Sequence, residues 1–271
     1  MNNLGFNNIP PVVKNLVIIN VIMLLATWVL GNTFGIQLNH ILGLHYFKSD
    51  LFEPYQFVTH MFMHGGLMHL FFNMFALWMF GRVLESVWGS KRFFIYFMVT
   101  GLGAAALHTF VIHLQMNSIL SDIKAFTNTP SPEAFAILVK DHFPEYYSQV
   151  YSKLLDGWYS NPDSARYIAQ SQQFVRELLD LKMNIPTVGA SGAVFGVLLA
   201  FGMLFPNTQL MLLFPPIPIK AKYFVIFYGG LELWLGLTQP GSNIAHFAHL
   251  GGMLFGFILI KVWKNKRNTF F

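Results

Sequence analysis

A serine and a histidine in two separate apolar segments have the residue types of a nucleophile and its base. Ser191 lies in the run Gly-Ala-Ser-Gly at 189–192, where small neighbours leave space around the hydroxyl. His249 lies in a later apolar segment. A serine hydroxyl becomes nucleophilic when an imidazole within hydrogen-bond reach accepts its proton. The pair therefore predicts acyl-transfer chemistry, provided that the fold brings the two side chains together.

A second pair of polar residues could stabilise the negative charge that such an attack creates. His69 and Asn73 are spaced i, i+4 in another apolar segment, so they share one face of a helix. Both side chains can donate a hydrogen bond. The start of the segment that holds Ser191 would add unpaired backbone N–H groups and the positive end of a helix dipole. These groups are candidates for an oxyanion hole.

The composition places these residues in a membrane protein. Of the 271 residues, 54% are hydrophobic and 11% are charged, whereas soluble domains carry about 25% charge. Six apolar segments each approach the ~20 residues that cross a ~30 Å hydrocarbon core. We predict an all-α fold with six membrane spans, forming one membrane domain over residues 1–271. The spans are 13–34, 58–81, 93–114, 187–205, 219–237 and 244–260.

Basic residues mark one side of the predicted membrane domain. Lysine and arginine cluster at alternate ends of the spans, whereas the short loops on the other side hold only Lys48. The positive-inside rule then places both termini in the cytoplasm, and it explains the net charge of +5 without nucleic acid. We expect a multi-pass protein of a bacterial inner membrane, with the first apolar segment retained as an anchor. The chain has no cysteine, so no disulfide or thiolate chemistry is expected.

Residues 115–186 break the apolar pattern. They hold eight of the twelve acids and six of the seventeen bases, so we predict a soluble helical insertion between spans three and four on the outer side. Two or three amphipathic helices are expected there. The first should begin at Ser131, whose hydroxyl can cap it, with Pro132 in the first turn. Such an insertion could be a solvated cap or an element that faces the substrate, and the sequence favours neither.

Spans four and six could place the serine and the histidine at the same depth. Both spans enter from the outside. Ser191 lies four residues into span four, ~6 Å deep, and His249 lies five residues into span six, ~7 Å deep. Gly252 and Gly256 form a small-xxx-small stripe that permits close helix contact, and Gly196 on span four could face it. Close packing of the two spans would bring His249 to Ser191.

Alternative roles remain open for the residues of this constellation. Ser191 could be a helix-packing residue, because small residues of this kind line many helix interfaces. His246, three residues before His249, is a rival base. Glu232 is the one acid well inside an apolar span, where it could orient His249 and complete a triad.

A zinc site is a further alternative for the histidines of span two. His60, His64 and His69 share that span, and i, i+4 pairs of histidines can ligate zinc. However, the span contains no HExxH sequence, no cysteine and no acid. We therefore predict no metal and no cofactor.

Three motifs, taken together, resemble those of the rhomboid family of intramembrane serine proteases. They are G-x-S-G at the start of span four (189–192), A-H-x-x-G-x-x-x-G on span six (248–256) and H-x-x-x-N on span two (69–73). Each motif alone is a weak signal, but their combination on three spans of a six-span chain is specific. The resemblance covers the chain except the insertion. It implies a six-helix rhomboid-like bundle.

The resemblance also implies a role for each residue of the motifs. Ser191 would be the nucleophile and His249 the general base of a Ser-His dyad. His69 and Asn73, with the backbone amide of Ser191, would bind the oxyanion. Glu232 would then have a structural role. The residues predicted to pack around the dyad are Gly189, Gly192, Gly252, Gly256 and Phe195, the last at an aromatic position that stacks on the catalytic histidine.

The implied activity is that of a serine endopeptidase that cleaves transmembrane segments of other membrane proteins near the outer face. Its partners would be transmembrane substrates and the lipid bilayer, with no nucleic acid and no metal. The resemblance suggests substrate entry past span five, with the loop 238–243 as a flexible cap, and a small residue before the cut. The alternative is a non-catalytic rhomboid-like protein that binds transmembrane helices. A small transporter or channel is also possible, although no paired intramembrane charges indicate one.

Two features depart from the family pattern. Many members carry Trp-Arg in the first outer loop, where this chain has Tyr55-Gln56. The insertion at 115–186 is longer than in compact members, and it directly precedes the segment with Ser191.

Overall fold

The computed structural model describes residues 9–211, 216–239 and 245–266, with side chains as far as 264. In chain order its helices are α1 (Pro11–Phe34), α2 (Leu38–Leu42), α3 (Gln56–Thr59), α4 (Leu67–Ala76), α5 (Arg82–Trp88), α6 (Ser90–Asn128), α7 (Pro132–His142), α8 (Tyr147–Val150), α9 (Asp156–Ser160), α10 (Ala165–Met183), α11 (Ser191–Leu204), α12 (Ala221–Thr238) and α13 (His246–Lys266). Two short strands, β1 (Gln209–Met211) and β2 (Pro218–Lys220), pair antiparallel with Leu210 opposite Ile219.

The chain divides into two compact units. The first, here called the membrane unit, contains Met1–Phe47, Leu51–Thr109 and Pro186–Phe271. The second, the insertion unit, contains Lys48–Asp50 and Phe110–Ile185. The change from one unit to the other falls inside α6. That helix continues past residue 115, because nothing in the sequence there stops it.

The described residues confirm a multi-pass, mainly helical membrane protein. Four helices are long and apolar enough to cross a membrane: Pro11–Phe34, Leu67–Trp88, Ser90–Asn128 and His246–Lys264. α4 and α5 join through the wider turn Leu77–Gly81 to form the second of these. The predicted spans four and five correspond to α11, an apolar helix of 14 residues, and to α12, which contains Lys222 and Glu232.

The second predicted span, 58–81, is wrong as a single helix. The chain forms α3 and a 3-10 turn at His60–Phe62, and the long helix begins only at Leu67. Gly66, which precedes it, has an extended backbone with φ 169° and ψ 173°. The two adjacent glycines at 65 and 66 cost a helix about 1 kcal/mol each relative to alanine, so the break falls there.

α11 lies at the centre of the membrane unit. Ten of its fourteen residues are buried, so the helix is surrounded by protein on most of its circumference. Its small residues permit close neighbours: a Cβ added at Gly196 would lie 2.6 Å from Cβ of Thr100 on α6. On α13, a Cβ at Gly252 would overlap the carbonyl oxygen of Gly192. These contacts fix α11 against the helices on either side of it.

A buried carboxylate joins the second long helix to the start of α1. Glu85 Oε1 accepts from the backbone N–H of Val12 at 2.9 Å, and Oε2 accepts from Val13 N–H at 2.8 Å. Ser90 Oγ donates to Oε1 at 2.7 Å. These bonds satisfy donors that a helix leaves unpaired in its first turn. Because α1 and α5 are far apart in sequence, this cap could not be predicted from local patterns.

The insertion unit has its own aromatic core. Phe135 and Trp158 are fully buried, with ring centroids 5.9 Å apart, and Trp158 Nε1 donates to the carbonyl of Pro162 at 3.0 Å. The predicted start of its first helix is confirmed, because Ser131 Oγ accepts from Ala134 N–H at 3.1 Å ahead of α7. α7 and the 19-residue α10 each bury one face.

Candidate active site

Ser191 is the first residue of α11, not the fifth residue of a span that starts at 187. Thr187 pairs with Leu44 through two backbone hydrogen bonds of 2.8 and 2.9 Å. Gly189 N–H donates to the carbonyl of His60 at 2.9 Å. Gly189 has φ +132°, a conformation that side chains rarely permit. The segment before Ser191 is therefore held outside the helix, and the predicted depth of four residues inside it is wrong.

His249 lies in the first turn of α13 and reaches Ser191 directly. Its Nε2 is 2.9 Å from Ser191 Oγ, a hydrogen-bond distance. The close approach of Gly192 and Gly252 permits this contact, because the two helix backbones meet one residue beyond the serine. The imidazole is 8% exposed. The structure thus brings together the two residues that the sequence proposed as nucleophile and base.

An aromatic stack fixes the plane of the imidazole. The ring of Phe195 lies parallel to that of His249, at 4.1 Å between centroids and an angle of 4°. On its other side Phe195 stacks on Tyr228 of α12, at 5.1 Å and 29°. The histidine ring therefore has little freedom to rotate away from Ser191. Gly256 was predicted to pack around the dyad, but its backbone packs on the hydroxyl of Tyr96 instead.

His69 lies beside the segment that leads into Ser191. A Cβ added at Gly189 would lie 2.8 Å from Cε1 and 2.9 Å from Nε2 of His69, so only glycine fits there. The ring also packs edge-on against His64, with centroids 5.0 Å apart. Asn73 is buried, and its Nδ2 donates to the carbonyl of His69 at 2.9 Å within their own helix. The structure thus places His69 against Gly189, two residues before the serine. The Asn73 amide donates to the backbone of its own helix, one turn further along.

A small cavity of about 10 Å³ adjoins Ser191. That is about the space needed by one water molecule. His60, Thr187 and Ser191 provide its polar lining. The Thr187 hydroxyl is in turn within hydrogen-bond distance of His108, with Oγ1 3.0 Å from Nε2. The site can therefore place a water next to the hydroxyl. The apolar part of the lining includes Met61, Gly101, Ala104, Ala193, Ala245 and Ala248.

Glu232 of α12 contacts two histidines of α13. Its Oε2 accepts from Nδ1 of His246 at 2.6 Å and lies 3.0 Å from Nδ1 of His249. All three residues are buried. His246, the rival base of the sequence analysis, thus faces the carboxylate through Nδ1, and His249 is the histidine that contacts Ser191.

These three residues form the one group of three possible metal ligands among the described residues, with ligand atoms within 4.8 Å of one another. Two ligands on one tetrahedral zinc lie roughly 3.3 Å apart, given metal–ligand bonds of about 2.0–2.1 Å. The 2.6 Å between Glu232 and His246 is shorter than that and matches a charge-assisted hydrogen bond. The geometry therefore favours a shared proton over a shared ion.

At Tyr55-Gln56, where many family members have Trp-Arg, the Gln56 side chain forms hydrogen bonds that the sequence did not indicate. Gln56 is buried, and its Nε2 donates to the carbonyls of Leu51 at 2.9 Å and Ile41 at 3.2 Å. Its Oε1 accepts from His45 N–H at 3.2 Å. One amide thus ties three points of the first loop together. The prediction of a flexible cap at 238–243 falls largely outside the described residues, which leave out 240–243.

Comparison with known proteins extends the resemblance beyond the motifs. The family model described as "Rhomboid domain" matches residues 51–136 and 165–265. Rhomboid protein 1, mitochondrial, of Saccharomyces cerevisiae is 27% identical over 197 residues, which are 72% of this chain and 38% of that protein. RHOMBOID-like protein 12, mitochondrial, of Arabidopsis thaliana is 25% identical over 241 residues, 89% of this chain and 55% of that protein.

A bacterial protease matches a shorter stretch. Rhomboid protease GlpG of Klebsiella pneumoniae is 33% identical over 79 residues, 29% of each chain. This chain spans between about two fifths and just over half the length of the mitochondrial relatives above. The family model itself matches more than half of the chain, in two stretches that include all three motifs. The chain therefore belongs to the rhomboid family.

Proposed function

We propose that this chain is an intramembrane serine endopeptidase with Ser191 as nucleophile and His249 as general base. The observation that carries the proposal is the 2.9 Å contact between Ser191 Oγ and His249 Nε2 at the start of a buried apolar helix. Membership of a family with named proteases, such as the Klebsiella relative, supports it. A protein that only binds transmembrane helices would not need this pair.

The reaction follows from the geometry. His249 Nε2 accepts the proton of the Ser191 hydroxyl while Oγ attacks a peptide carbonyl carbon. The tetrahedral intermediate collapses as His249 returns the proton to the leaving amine, and an acyl ester remains on Ser191. A water, which the adjoining cavity can hold, then loses its proton to His249 and attacks the ester. The second collapse releases the acid and restores the serine.

The oxyanion of each intermediate needs hydrogen-bond donors beside Ser191. Its own backbone N–H begins α11 and has no partner one turn earlier in that helix. His69 lies against Gly189, two residues before Ser191, which is why we assign it a donor role together with Asn73. Removing one such donor costs about 10²–10³ in rate in other serine proteases.

The substrates we propose are transmembrane segments of other membrane proteins. A peptide carbonyl inside a helix is already hydrogen-bonded, so the segment must unwind before Ser191 can attack it. Segments with helix-weakening residues near the outer surface should therefore be cleaved best. A small residue before the cut is expected from membership of the rhomboid family. We place substrate entry on the side of α12.

We further propose that both termini lie in the cytoplasm of a bacterial inner membrane and that residues 115–186 face outward. The basic residues at alternate span ends support this orientation. Single cysteines at Ser160 and Ser86 in this cysteine-free chain would test it. A membrane-impermeant maleimide should label residue 160 in intact cells and residue 86 only after lysis. The reverse pattern would contradict the orientation.

The activity is tested by cleavage of a protein with one transmembrane segment in proteoliposomes. Wild-type protein should cleave it, and Ser191→Ala and His249→Ala should not. Ser86→Ala is the matched control, because Ser86 is exposed and its hydroxyl donates to Arg82 O within α5. A fluorophosphonate, which reacts with an activated serine, should label Ser191 and release fluoride. Cleavage by Ser191→Ala at the wild-type rate would refute the mechanism.

A further inference from the structure

Glu232 is a carboxylate in an apolar helix, yet it is 4% exposed. Burying an ionised carboxylate costs several kcal/mol unless hydrogen bonds and opposite charge offset the loss of water. The residue therefore requires partners of its own. The structure provides two, both on α13: His246 and His249, spaced i, i+3 so that they face the same side.

Both imidazoles place Nδ1 close to the same oxygen of Glu232. The hydrogen bond from His246 is 2.6 Å long. The separation from His249 is 3.0 Å, within ion-pair distance. Of the two contacts, that of His246 has the geometry of a hydrogen bond. His246 therefore holds the carboxylate in place, and the same oxygen lies within ion-pair distance of His249.

The carboxylate determines which nitrogen of His249 carries the proton. A neutral imidazole has one N–H and one lone pair. A lone pair on Nδ1 would face the negative oxygen at 3.0 Å and be repelled, whereas an N–H would be attracted. The proton therefore lies on Nδ1, and Nε2 presents its lone pair to the Ser191 hydroxyl at 2.9 Å. That is the tautomer a general base requires.

The same contact acts again when the proton moves. Once His249 has taken the proton of Ser191, the ring is an imidazolium whose positive charge adjoins the carboxylate. Glu232 stays ionised throughout, and no proton passes to it. α12 thus acts on the ring from two directions, through Glu232 at Nδ1 and through Tyr228, one helical turn earlier, which stacks on Phe195.

We propose that Glu232, held by His246, is a positioning residue that orients His249 and stabilises its protonated form, so that the dyad works with a third, charged partner. This inference rests on the proposed function, since it assigns a role within that reaction. It replaces the purely structural role that the family resemblance implied for Glu232.

The experiment compares Glu232→Gln with wild type in proteoliposomes. Glutamine keeps the shape and a hydrogen-bonding oxygen but removes the charge. The kcat should fall roughly 10- to 100-fold, in the direction of carboxylate-to-amide changes in serine-protease triads, while KM stays within about twofold because residue 232 is buried against α13. The fluorophosphonate labelling rate of Ser191 should fall in parallel. Glu177→Gln, an exposed change on α10, is the matched control and should alter neither rate.

A second variant separates positioning from folding. His246→Asn keeps an N–H donor near the carboxylate and should lose less than about fivefold in kcat, whereas His246→Ala should approach Glu232→Gln. Tm is measured for each variant. Equal kcat in Glu232→Gln and wild type would overturn the inference, as would a loss that follows only the unfolded fraction. A loss of wild-type activity on treatment with EDTA would overturn it too, in favour of a metal site.

The outcomes also distinguish this inference from the proposed function. If wild-type protein neither cleaves the substrate nor is labelled by the fluorophosphonate, the proposed function is wrong, and the inference that rests on it is wrong as well. If wild-type protein does both and Glu232→Gln matches it, only the inference fails.

Discussion

Replacing Gly252 by alanine should separate α13 from α11 at the point where they hold the dyad. A Cβ at 252 would overlap the carbonyl oxygen of Gly192 and lie 2.7 Å from its carbonyl carbon. Ordinary van der Waals contact begins at 3.4 Å, so the carbon contact alone requires the backbones to move apart by about 0.7 Å, and the overlapping oxygen requires more. Gly192 cannot rotate away as a side chain could, because its carbonyl belongs to the first turn of α11.

The effect on the reaction follows from the position of Gly252 on the same face of α13 as His249. Even a shift of about 0.7 Å along this contact lengthens the Ser191–His249 distance from 2.9 Å to about 3.6 Å, outside hydrogen-bond range. A misplacement of about 1 Å can cost 10²-fold in rate. We expect cleavage to fall roughly 10- to 100-fold, or about 1.4–2.7 kcal/mol in activation free energy. Overpacking should lower the free energy of unfolding by about 1–3 kcal/mol.

The assay is the rate of fluorophosphonate labelling at Ser191 together with cleavage in proteoliposomes and Tm in detergent. Gly230→Ala is the matched control, because a Cβ at 230 on α12 meets nothing within 4 Å. It should label and cleave at the wild-type rate. If Gly252→Ala stays folded and also labels at the wild-type rate, close contact of α11 and α13 does not position the dyad.

Three further changes test separate parts of the site and its support. Phe195→Leu removes the ring that lies 4.1 Å from His249; an aromatic pair contributes about 0.5–1.5 kcal/mol, so the labelling rate should fall roughly three- to tenfold, whereas Phe195→Tyr should retain it. Gly189→Ala forces a side chain into φ +132° against the ring of His69; the strain costs about 1–3 kcal/mol, so Tm should fall and cleavage should be lost, and an unchanged Tm would contradict this account. Glu85→Gln weakens the cap on α1; Tm should fall by an amount equivalent to about 1–3 kcal/mol, while the folded protein, whose site Glu85 does not contact, keeps its cleavage rate.

The sequence predicted the parts of the site that depend on local patterns. The Gly-Ala-Ser-Gly run and the glycines of α13 indicated where two helices approach closely, and the structure places Ser191 and His249 in contact there. The stack of Phe195 on His249, which the family resemblance implied, is present as well, with residues 191 and 195 one turn apart on α11. Apolar segment lengths also located the long helices, since a membrane sets a minimum length that sequence alone can reveal.

The features that sequence reasoning missed depend on partners far along the chain. The start of α11 is fixed by Leu44 and by the carbonyl of His60, more than a hundred residues earlier. The Glu85 cap joins residues more than seventy apart. Glu232 was recognisable as an unusual acid inside an apolar span, but the sequence did not show that two imidazoles lie beside it. Nor did it show that two backbone N–H groups and the Ser90 hydroxyl donate to Glu85.

The position of Ser191 at the very start of α11 changes what its backbone can do. Had the helix begun at 187, as the apolar pattern predicted, the N–H of Ser191 would have donated to the carbonyl of Thr187. That carbonyl instead accepts from Leu44 N–H at 2.9 Å, and the first bond of this turn runs from Val194 N–H to the carbonyl of Ala190. The bridge to Leu44 therefore leaves the Ser191 N–H without a helical partner, so it is available to the oxyanion of the proposed reaction. The irregular segment that sequence reasoning took for helix is thus what allows an apolar helix to provide a backbone donor to the proposed reaction.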